Sequence, residues 1–119
     1  MVTATGLKVL ICEDEYLLAS DLSHQLRAMG AEVLDLKPRL RDLVDLLKRP
    51  DFAANAAVVD IKLFDQTSFS LVRSLKKLGV ALAFCSGYSR RDVPNDLTSV
   101  PFFTKPADTG EIVSALRIS

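Results

Sequence analysis

The sequence is poor in the residues that mark several common protein classes. It has no tryptophan, one histidine and only two cysteines, Cys12 and Cys85. Two widely separated cysteines have neither the spacing of a zinc site nor the density of a disulfide framework. Lys and Arg together number 15 and are balanced by 15 Asp and Glu, so the formal net charge is zero. This balance gives no support for a nucleic-acid partner.

Long apolar runs are also missing. The most apolar stretches, residues 52–59 and 79–85, are far shorter than the roughly 20 residues that a membrane-spanning helix needs. Residues 1–6 lack the basic start and the apolar run of a signal peptide. We therefore expect a cytoplasmic protein with reduced cysteines and no membrane insertion.

Short apolar runs alternate with stretches of helical periodicity along the 119 residues. We expect one domain over residues 1–119 with no output domain, because no linker or repeat interrupts this alternation. Helices are predicted after the strands, the third capped by Thr67 or Ser68, but residues 88–100 support only a short or weak fourth helix. The predicted strands are residues 8–12, 32–36, 56–59, 80–84 and 102–104.

Repeated strand-then-helix units predict an α/β fold with a parallel sheet covered by helices on both faces. Right-handed crossovers make this a doubly wound fold. We expect a flavodoxin-like sheet of five strands, for which the order is 2-1-3-4-5. In such sheets the ligand site lies at the carboxyl ends of the strands. The polar residues that follow the strands should therefore converge on one site.

Five polar residues stand at those strand ends. Glu13 and Asp14 follow strand one, Asp60 follows strand three, Ser86 follows strand four and Lys105 follows strand five. Three neighbouring carboxylates would repel one another, so the site needs a cation, and hard oxygen ligands suit Mg²⁺. A hydroxyl and an ammonium facing that ion could hold a transferring phosphoryl group. The pattern therefore indicates metal-assisted phosphoryl transfer onto a carboxylate.

With these residues in this order, the chain resembles the CheY-like receiver domains of two-component response regulators. The resemblance extends from about residue 8 to residue 116. Each motif is weak alone, and the set is specific because every motif ends a predicted strand. The motifs are Glu13-Asp14, Asp60 after Val58-Val59, Ser86-Gly87, and Lys105-Pro106 with a proline expected to be trans.

The resemblance implies a role for each matched position at the acidic end of the site. Asp60 would be the phosphoacceptor. Asp14, helped by Glu13, would hold Mg²⁺ together with Asp60 and the backbone carbonyl of Lys62.

The resemblance also implies how the site signals. Ser86 and Lys105 would complete the catalytic set by contacting the phosphoryl group, and Ser86 and Phe102 would form the switch. Residues 84–88, Phe-Cys-Ser-Gly-Tyr, are similar to the Phe-Ala-Thr-Gly-Tyr motif of a single-domain subgroup whose partners are histidine kinases of the HWE and related classes. Residues 88–100 should respond most to phosphorylation, because their polar composition leaves them few apolar contacts.

Three positions depart from the usual receiver pattern. Lys62 stands two residues after the acceptor, Phe64 replaces the usual proline four residues after it, and the switch aromatic Phe102 has no hydroxyl. None of these removes a catalytic group, although Lys62 bears on the lifetime of the phosphoryl group. These departures keep open the alternative of a pseudo-receiver, an interaction module that works without phosphorylation.

The functional expectation is a phosphoprotein of a two-component or phosphorelay pathway. It would take a phosphoryl group from a sensor histidine kinase and would signal through a downstream protein partner or act as a phosphate sink. It would not be an enzyme beyond its own phosphorylation and slow autodephosphorylation. Neither nucleic acid nor membrane is expected as a partner.

Overall fold

The computed structural model describes residues 3–34, 40–64 and 66–118. In that part of the chain, seven strands, four α-helices and two short 3-10 turns follow one another. The strands are β1 (Lys8–Cys12), β2 (Glu32–Val33), β3 (Ala56–Val59), β4 (Lys62–Leu63), β5 (Gln66–Thr67), β6 (Ala81–Ser86) and β7 (Phe102–Thr104). The α-helices are α1 (Tyr16–Ala28), α2 (Leu40–Leu47), α3 (Phe69–Lys77) and α4 (Thr109–Ile118).

The main sheet has five parallel strands in the order β2-β1-β3-β6-β7. The predicted doubly wound order 2-1-3-4-5 is confirmed, because β6 and β7 are the fourth and fifth strands of that sheet. The second strand was predicted over residues 32–36, and its residues 35 and 36 lie outside the described residues. Cys12 on β1 and Cys85 on β6 are separated by β3 and both are free thiols, as expected.

Two apolar layers cover the two faces of the sheet. One layer contains Leu10, Phe84 and the buried residues of α2 and α3, and the other contains Ile11, Val58 and the buried residues of α1 and α4. The strand β3 is buried along its whole length, as expected of a central strand between two helical layers. In the described residues, no helix is both long and apolar enough to cross a membrane.

Residues 88–100, all of them described, form no α-helix, in line with the prediction that this stretch supports only a short or weak fourth helix. They form 3-10 turns at Arg90–Asp92 and Asn95–Leu97 instead. The first turn is closed by a capping box between Ser89 and Asp92. Pro94 then prevents continuation, because proline lacks an N–H and disfavours helical backbone in the residue before it.

The expectation that this segment has few apolar contacts is wrong. Val93, Leu97 and Val100 are all buried and belong to the same core layer as Phe84. Val93, Leu97 and Val100 stand four and three residues apart, the spacing of one helical face, so the sequence did carry a signal for their burial.

A two-stranded antiparallel hairpin between β3 and α3 was not predicted. In it, Lys62 pairs with Thr67 and Leu63 pairs with Gln66. Its strands have two residues each, too short for an alternating pattern to be recognised. The hairpin follows directly after Asp60 and so lies beside the predicted site.

Candidate functional site

The sheet brings the strand ends together through its own hydrogen bonds. The backbone N–H of Asp60 donates to the carbonyl of Cys12 over 2.9 Å, which places the end of β3 beside the Glu13-Asp14 pair. The N–H of Lys105 donates to the carbonyl of Ser86 over 3.0 Å and places the ends of β6 and β7 side by side. The predicted convergence of the site residues therefore follows from parallel strand pairing.

Both carboxylate oxygens of Asp60 accept a hydrogen bond. The Ser86 hydroxyl donates to Oδ1 over 2.6 Å, and the Lys105 ammonium donates to Oδ2 over 2.8 Å. Ser86 is fully buried and Asp60 is 8% exposed, so the bond between them is shielded from bulk water, whereas the bond from Lys105 is only partly buried. Such charge-assisted bonds fix the orientation of the carboxylate.

An acidic cluster surrounds this carboxylate. Oxygen atoms of Glu13, Asp14 and Asp60 lie within 4.8 Å of one another. The Lys105 ammonium also contacts Glu13, so three carboxylates and one ammonium leave two formal negative charges. An all-oxygen donor set of this charge fits a hard divalent cation such as Mg²⁺ or Ca²⁺.

Burial and neighbouring charges shift the pKa of two residues of the site, Glu13 and Lys105. Burial raises the pKa of Glu13, although the hydrogen bond from Lys105 and the backbone N–H of Glu15 act in the opposite direction. Burial acts to lower the pKa of Lys105, but the hydrogen bonds and charges of Asp60 and Glu13 outweigh it and raise that pKa. Lys105 therefore stays an ammonium throughout the physiological pH range.

Two contacts at the site were missed by the sequence interpretation. The backbone N–H of Phe64 donates to Oδ2 of Asp14 over 2.7 Å. The Ser68 hydroxyl donates to the backbone carbonyl of Asp60 over 2.6 Å and makes no cap bond to α3. Ser68 does occupy the N-cap position of that helix, but its fully buried hydroxyl faces β3 rather than the helix.

A signal for the first contact was present in the sequence. Phe64 was interpreted only as the loss of a proline, although any residue other than proline restores a backbone donor at that position. No comparable signal marks Ser68, since serine is common at helix starts for a different reason.

The other two predicted site residues lie on two different strands. Lys62 lies on β4, half-buried, and Phe102 lies on β7, where its ring packs 6.2 Å from that of Phe84. The peptide bond between Lys105 and Pro106 is cis, so the expected trans proline is wrong.

An open cavity of about 340 Å³ lies next to the acceptor, between the strand ends and helices α1 and α4. Asp60 and Lys105 line one part of it, and Leu18, Leu22 and Ile112 line another. The carboxylate of Asp60 is therefore reachable from solvent even though its residue is buried.

No family model and no curated protein matches the sequence. Solved structures do match the fold. A response regulator from Burkholderia pseudomallei, with a phosphorylated aspartic acid, a calcium ion and citrate, is 21% identical with a TM-score of 0.76. The match covers 92% of this chain and 66% of that one, so the chain spans just under two thirds of that protein.

Two further structures are matched nearly from end to end. The PhyR receiver domain from Erythrobacter litoralis is 19% identical with a TM-score of 0.77, covering 96% of this chain and 89% of that one. A sensor protein from a Polaromonas species is 24% identical with a TM-score of 0.77, and the match covers 95% of this chain and 94% of that one. The chain therefore has the CheY-like fold of the response-regulator receiver domains.

Proposed function

We propose that the chain is a phosphoacceptor receiver of a two-component system, with Asp60 as the acceptor. One observation carries the proposal. The Asp60 carboxylate accepts hydrogen bonds from a hydroxyl and an ammonium and has an oxygen within 4.8 Å of oxygens of two further carboxylates. A structural carboxylate would need one charge partner, whereas this one stands where a cation and a phosphoryl group could be held together.

The covalent step is a transfer between two nucleophiles. A carboxylate oxygen of Asp60 attacks the phosphorus of a phosphohistidine, the new P–O bond forms, and the P–N bond breaks. The bonding electron pair returns to the imidazole nitrogen of the donor, and the product is an aspartyl phosphate. Ser86 and Lys105 lie where they can turn from the Asp60 oxygens to the phosphoryl oxygens, because both already donate to the acceptor itself.

Glu13, Asp14 and Asp60, with the backbone carbonyl of Lys62, would hold Mg²⁺. The ion supplies positive charge that offsets the repulsion between the carboxylates and the incoming phosphoryl oxygens. The chain's own part is to keep Glu13 and Asp60 aligned through Lys105, which contacts both. The neighbour from Burkholderia pseudomallei, which has a phosphorylated aspartic acid and a calcium ion, supports this assignment.

The partners follow from the reaction. The donor would be a sensor histidine kinase. The resemblance of residues 84–88 to the single-domain subgroup points to a kinase of the HWE class. The phosphorylated domain would act through a protein partner or as a phosphate sink in a phosphorelay of the cytoplasm. We expect no catalytic turnover apart from slow loss of its own phosphoryl group.

The deciding experiment is phosphoryl transfer from a phosphorylated HWE kinase, and separately from phosphoramidate, with and without Mg²⁺. Wild-type protein should gain an acid-stable, hydroxylamine-sensitive label that requires Mg²⁺. Asp60→Asn should fold normally and gain no label, because an amide cannot attack phosphorus. Asp51→Asn is the matched control, since Asp51 is an exposed aspartate paired with Arg49 on the surface.

Labelling of the Asp60→Asn protein equal to that of wild type would overturn the assignment. Failure of wild type to accept a phosphoryl group from both donors would instead favour the pseudo-receiver. The small donor makes this conclusion independent of the choice of kinase.

A further inference from the structure

We propose that the backbone amide of Phe64 is a positioning group for Asp14 and couples the β4–β5 hairpin to metal binding. The proposal rests on the function proposed above, since it takes Asp14 as a ligand of the divalent ion. Its basis is the hydrogen bond from the Phe64 N–H to Oδ2 of Asp14, 2.7 Å long and made across 50 positions of sequence.

The conformation of Phe64 is unusual for its residue type. Phe64 follows the pair formed by Leu63 and Gln66, and its φ of 55° lies in the left-handed region. The favoured two-residue hairpin turns, types I′ and II′, have positive φ at their first residue, where glycine, asparagine and aspartate are common. A phenylalanine keeps this conformation only where the surrounding structure determines it.

The hairpin is attached firmly on both sides of this residue. The Leu63 side chain is 1% exposed in the core. At the other end, Ser68 donates its N–H to the carbonyl of Ile61 over 2.8 Å and its hydroxyl to the carbonyl of Asp60 over 2.6 Å. The donor at Phe64 therefore has a fixed place relative to the acceptor strand.

This placement determines which part of Asp14 can face a cation. A carboxylate offers about four lone-pair sites on two oxygens. The Phe64 amide takes one site on Oδ2, which leaves Oδ1 and the second site of Oδ2 for the cluster with Glu13 and Asp60. The amide thus holds the Asp14 side chain in place before the ion binds. An unrestrained carboxylate would lose rotational freedom on binding the ion, and that loss would lower the affinity.

Coupling follows from the same bond. An ion bound to Asp14 polarises its carboxylate oxygens and shifts their positions. The hydrogen bond from Phe64 to Oδ2 must therefore change in length or strength. The Phe64 ring is 53% exposed at the edge of the site. Metal binding is thereby transmitted to a surface side chain.

The first test is an NMR titration of the unphosphorylated protein with Mg²⁺, following backbone amides. The residue-64 amide should shift with the same midpoint as the amides of Glu13 and Asp14. Shifts at the cluster with an unmoved residue-64 amide would overturn the coupling alone. No Mg²⁺ response anywhere in the cluster would overturn the metal site of the proposed function and the coupling with it.

The second test compares Mg²⁺ affinities of three variants. Phe64→Pro removes the donor and, because proline fixes φ near −65°, also displaces residue 64 from its left-handed conformation. It should weaken Mg²⁺ binding at least about tenfold, the lower range for a hydrogen bond to a charged group. Phe64→Gly keeps the donor, admits the same φ and removes only the ring, so its affinity should stay near that of wild type. Gln66→Ala is the matched control on the other strand of the hairpin, where the side chain is exposed.

A further measurement keeps the test decisive if Phe64→Pro distorts the hairpin. Hydrogen exchange of the residue-64 amide, without Mg²⁺, should be at least tenfold faster in Asp14→Ala than in wild type. Equal exchange rates in the two proteins, or equal losses of affinity in the glycine and proline variants, would overturn the positioning role.

Discussion

The hydroxyl of Ser86 joins the acceptor to the loop that follows β6. It donates to Oδ1 of Asp60 over 2.6 Å and accepts the backbone N–H of Tyr88 over 3.2 Å. A single buried oxygen is therefore shared between the proposed chemistry and the backbone of the following segment. A group added to Asp60 that accepts the hydrogen bond from the Ser86 hydroxyl must also change the environment of the Tyr88 amide.

Ser86→Ala should destabilise the protein and uncouple this loop. The substitution leaves a buried acceptor and a backbone donor without their partner, which costs about 1–3 kcal/mol. Denaturant unfolding should show this loss, and hydrogen exchange of the Tyr88 amide should accelerate. Ser86→Thr keeps the hydroxyl and should restore the protection of Tyr88, whereas an unchanged free energy of unfolding in the alanine variant would contradict the role of the bond.

Asp14→Asn should raise the melting temperature in the absence of divalent ions. Asp14 lies within 4.8 Å of two other carboxylates, while Lys105 contacts the other two. Removing its charge relieves repulsion of about 1 kcal/mol, or roughly 4 °C for a domain of this size. Asparagine retains an acceptor oxygen for the Phe64 N–H, which alanine does not.

The same variant should gain no thermal stability from added Mg²⁺, because a ligand is lost. Asp45→Asn, at an exposed position of α2, is the control for removal of one negative charge. A Mg²⁺-dependent increase in melting temperature equal to that of wild type would show that Asp14 does not hold the ion.

The stability of the ion-free protein should fall at alkaline pH through Lys105. Its pKa is raised above the ordinary 10.5 because Asp60 and Glu13 together outweigh the effect of burial. A lysine with a raised folded-state pKa stabilises fully below its unfolded pKa, and this contribution is lost as pH rises through the folded value. The free energy of unfolding should therefore decrease progressively above pH 10.5.

Lys105→Arg should remove this part of the pH dependence, because a guanidinium stays protonated in that range. Denaturant unfolding between about pH 8 and about pH 12 measures it, with the exposed Lys77→Arg as the matched control. Identical alkaline slopes for wild type and Lys105→Arg would contradict the prediction.

The site could be predicted from the sequence because one rule connects strand order with strand ends. Residues as distant as Glu13 and Lys105 converge because the carboxyl ends of parallel strands meet at one edge of the sheet, and the apolar runs in β1, β3 and β6 are sufficient to indicate buried parallel strands. The metal-ready chemistry then follows from residue type alone.

The contacts that hold the site in place could not be predicted in the same way. The hairpin depends on a left-handed Phe64 and on two-residue strands, and the Ser68 bond depends on where a turn closes. Local propensity disfavours a left-handed phenylalanine and assigns Ser68 to a helix cap, so tertiary structure decides both features. The burial of residues 88–100 was missed for another reason, because the surrounding polar residues and Pro94 outweighed the helical spacing of Val93, Leu97 and Val100 in the interpretation.

This anchoring determines where the phosphorylation response should appear. Val93, Leu97 and Val100 are buried, and Arg73 on α3 forms two hydrogen bonds with Asp96. Residues 93–100 are therefore held by packing and by an ion pair. In residues 87–92, the amide of Tyr88 is held instead by Ser86, and the amides of Ser89 and Arg91 are held by the capping box.

An aspartyl phosphate adds about two negative charges and three acceptor oxygens beside Ser86 and Lys105. We therefore expect hydrogen exchange in the beryllofluoride–Mg²⁺ complex to change most at residues 87–92 and 102–105, with little change at residues 93–100. Phe102 should repack against Phe84, because Lys105 on the same chain segment moves toward the new charge. Asp60→Asn with the same reagents is the control and should show no change. Equal protection across residues 87–105 in the free and complexed wild-type protein would contradict the switch and favour the pseudo-receiver.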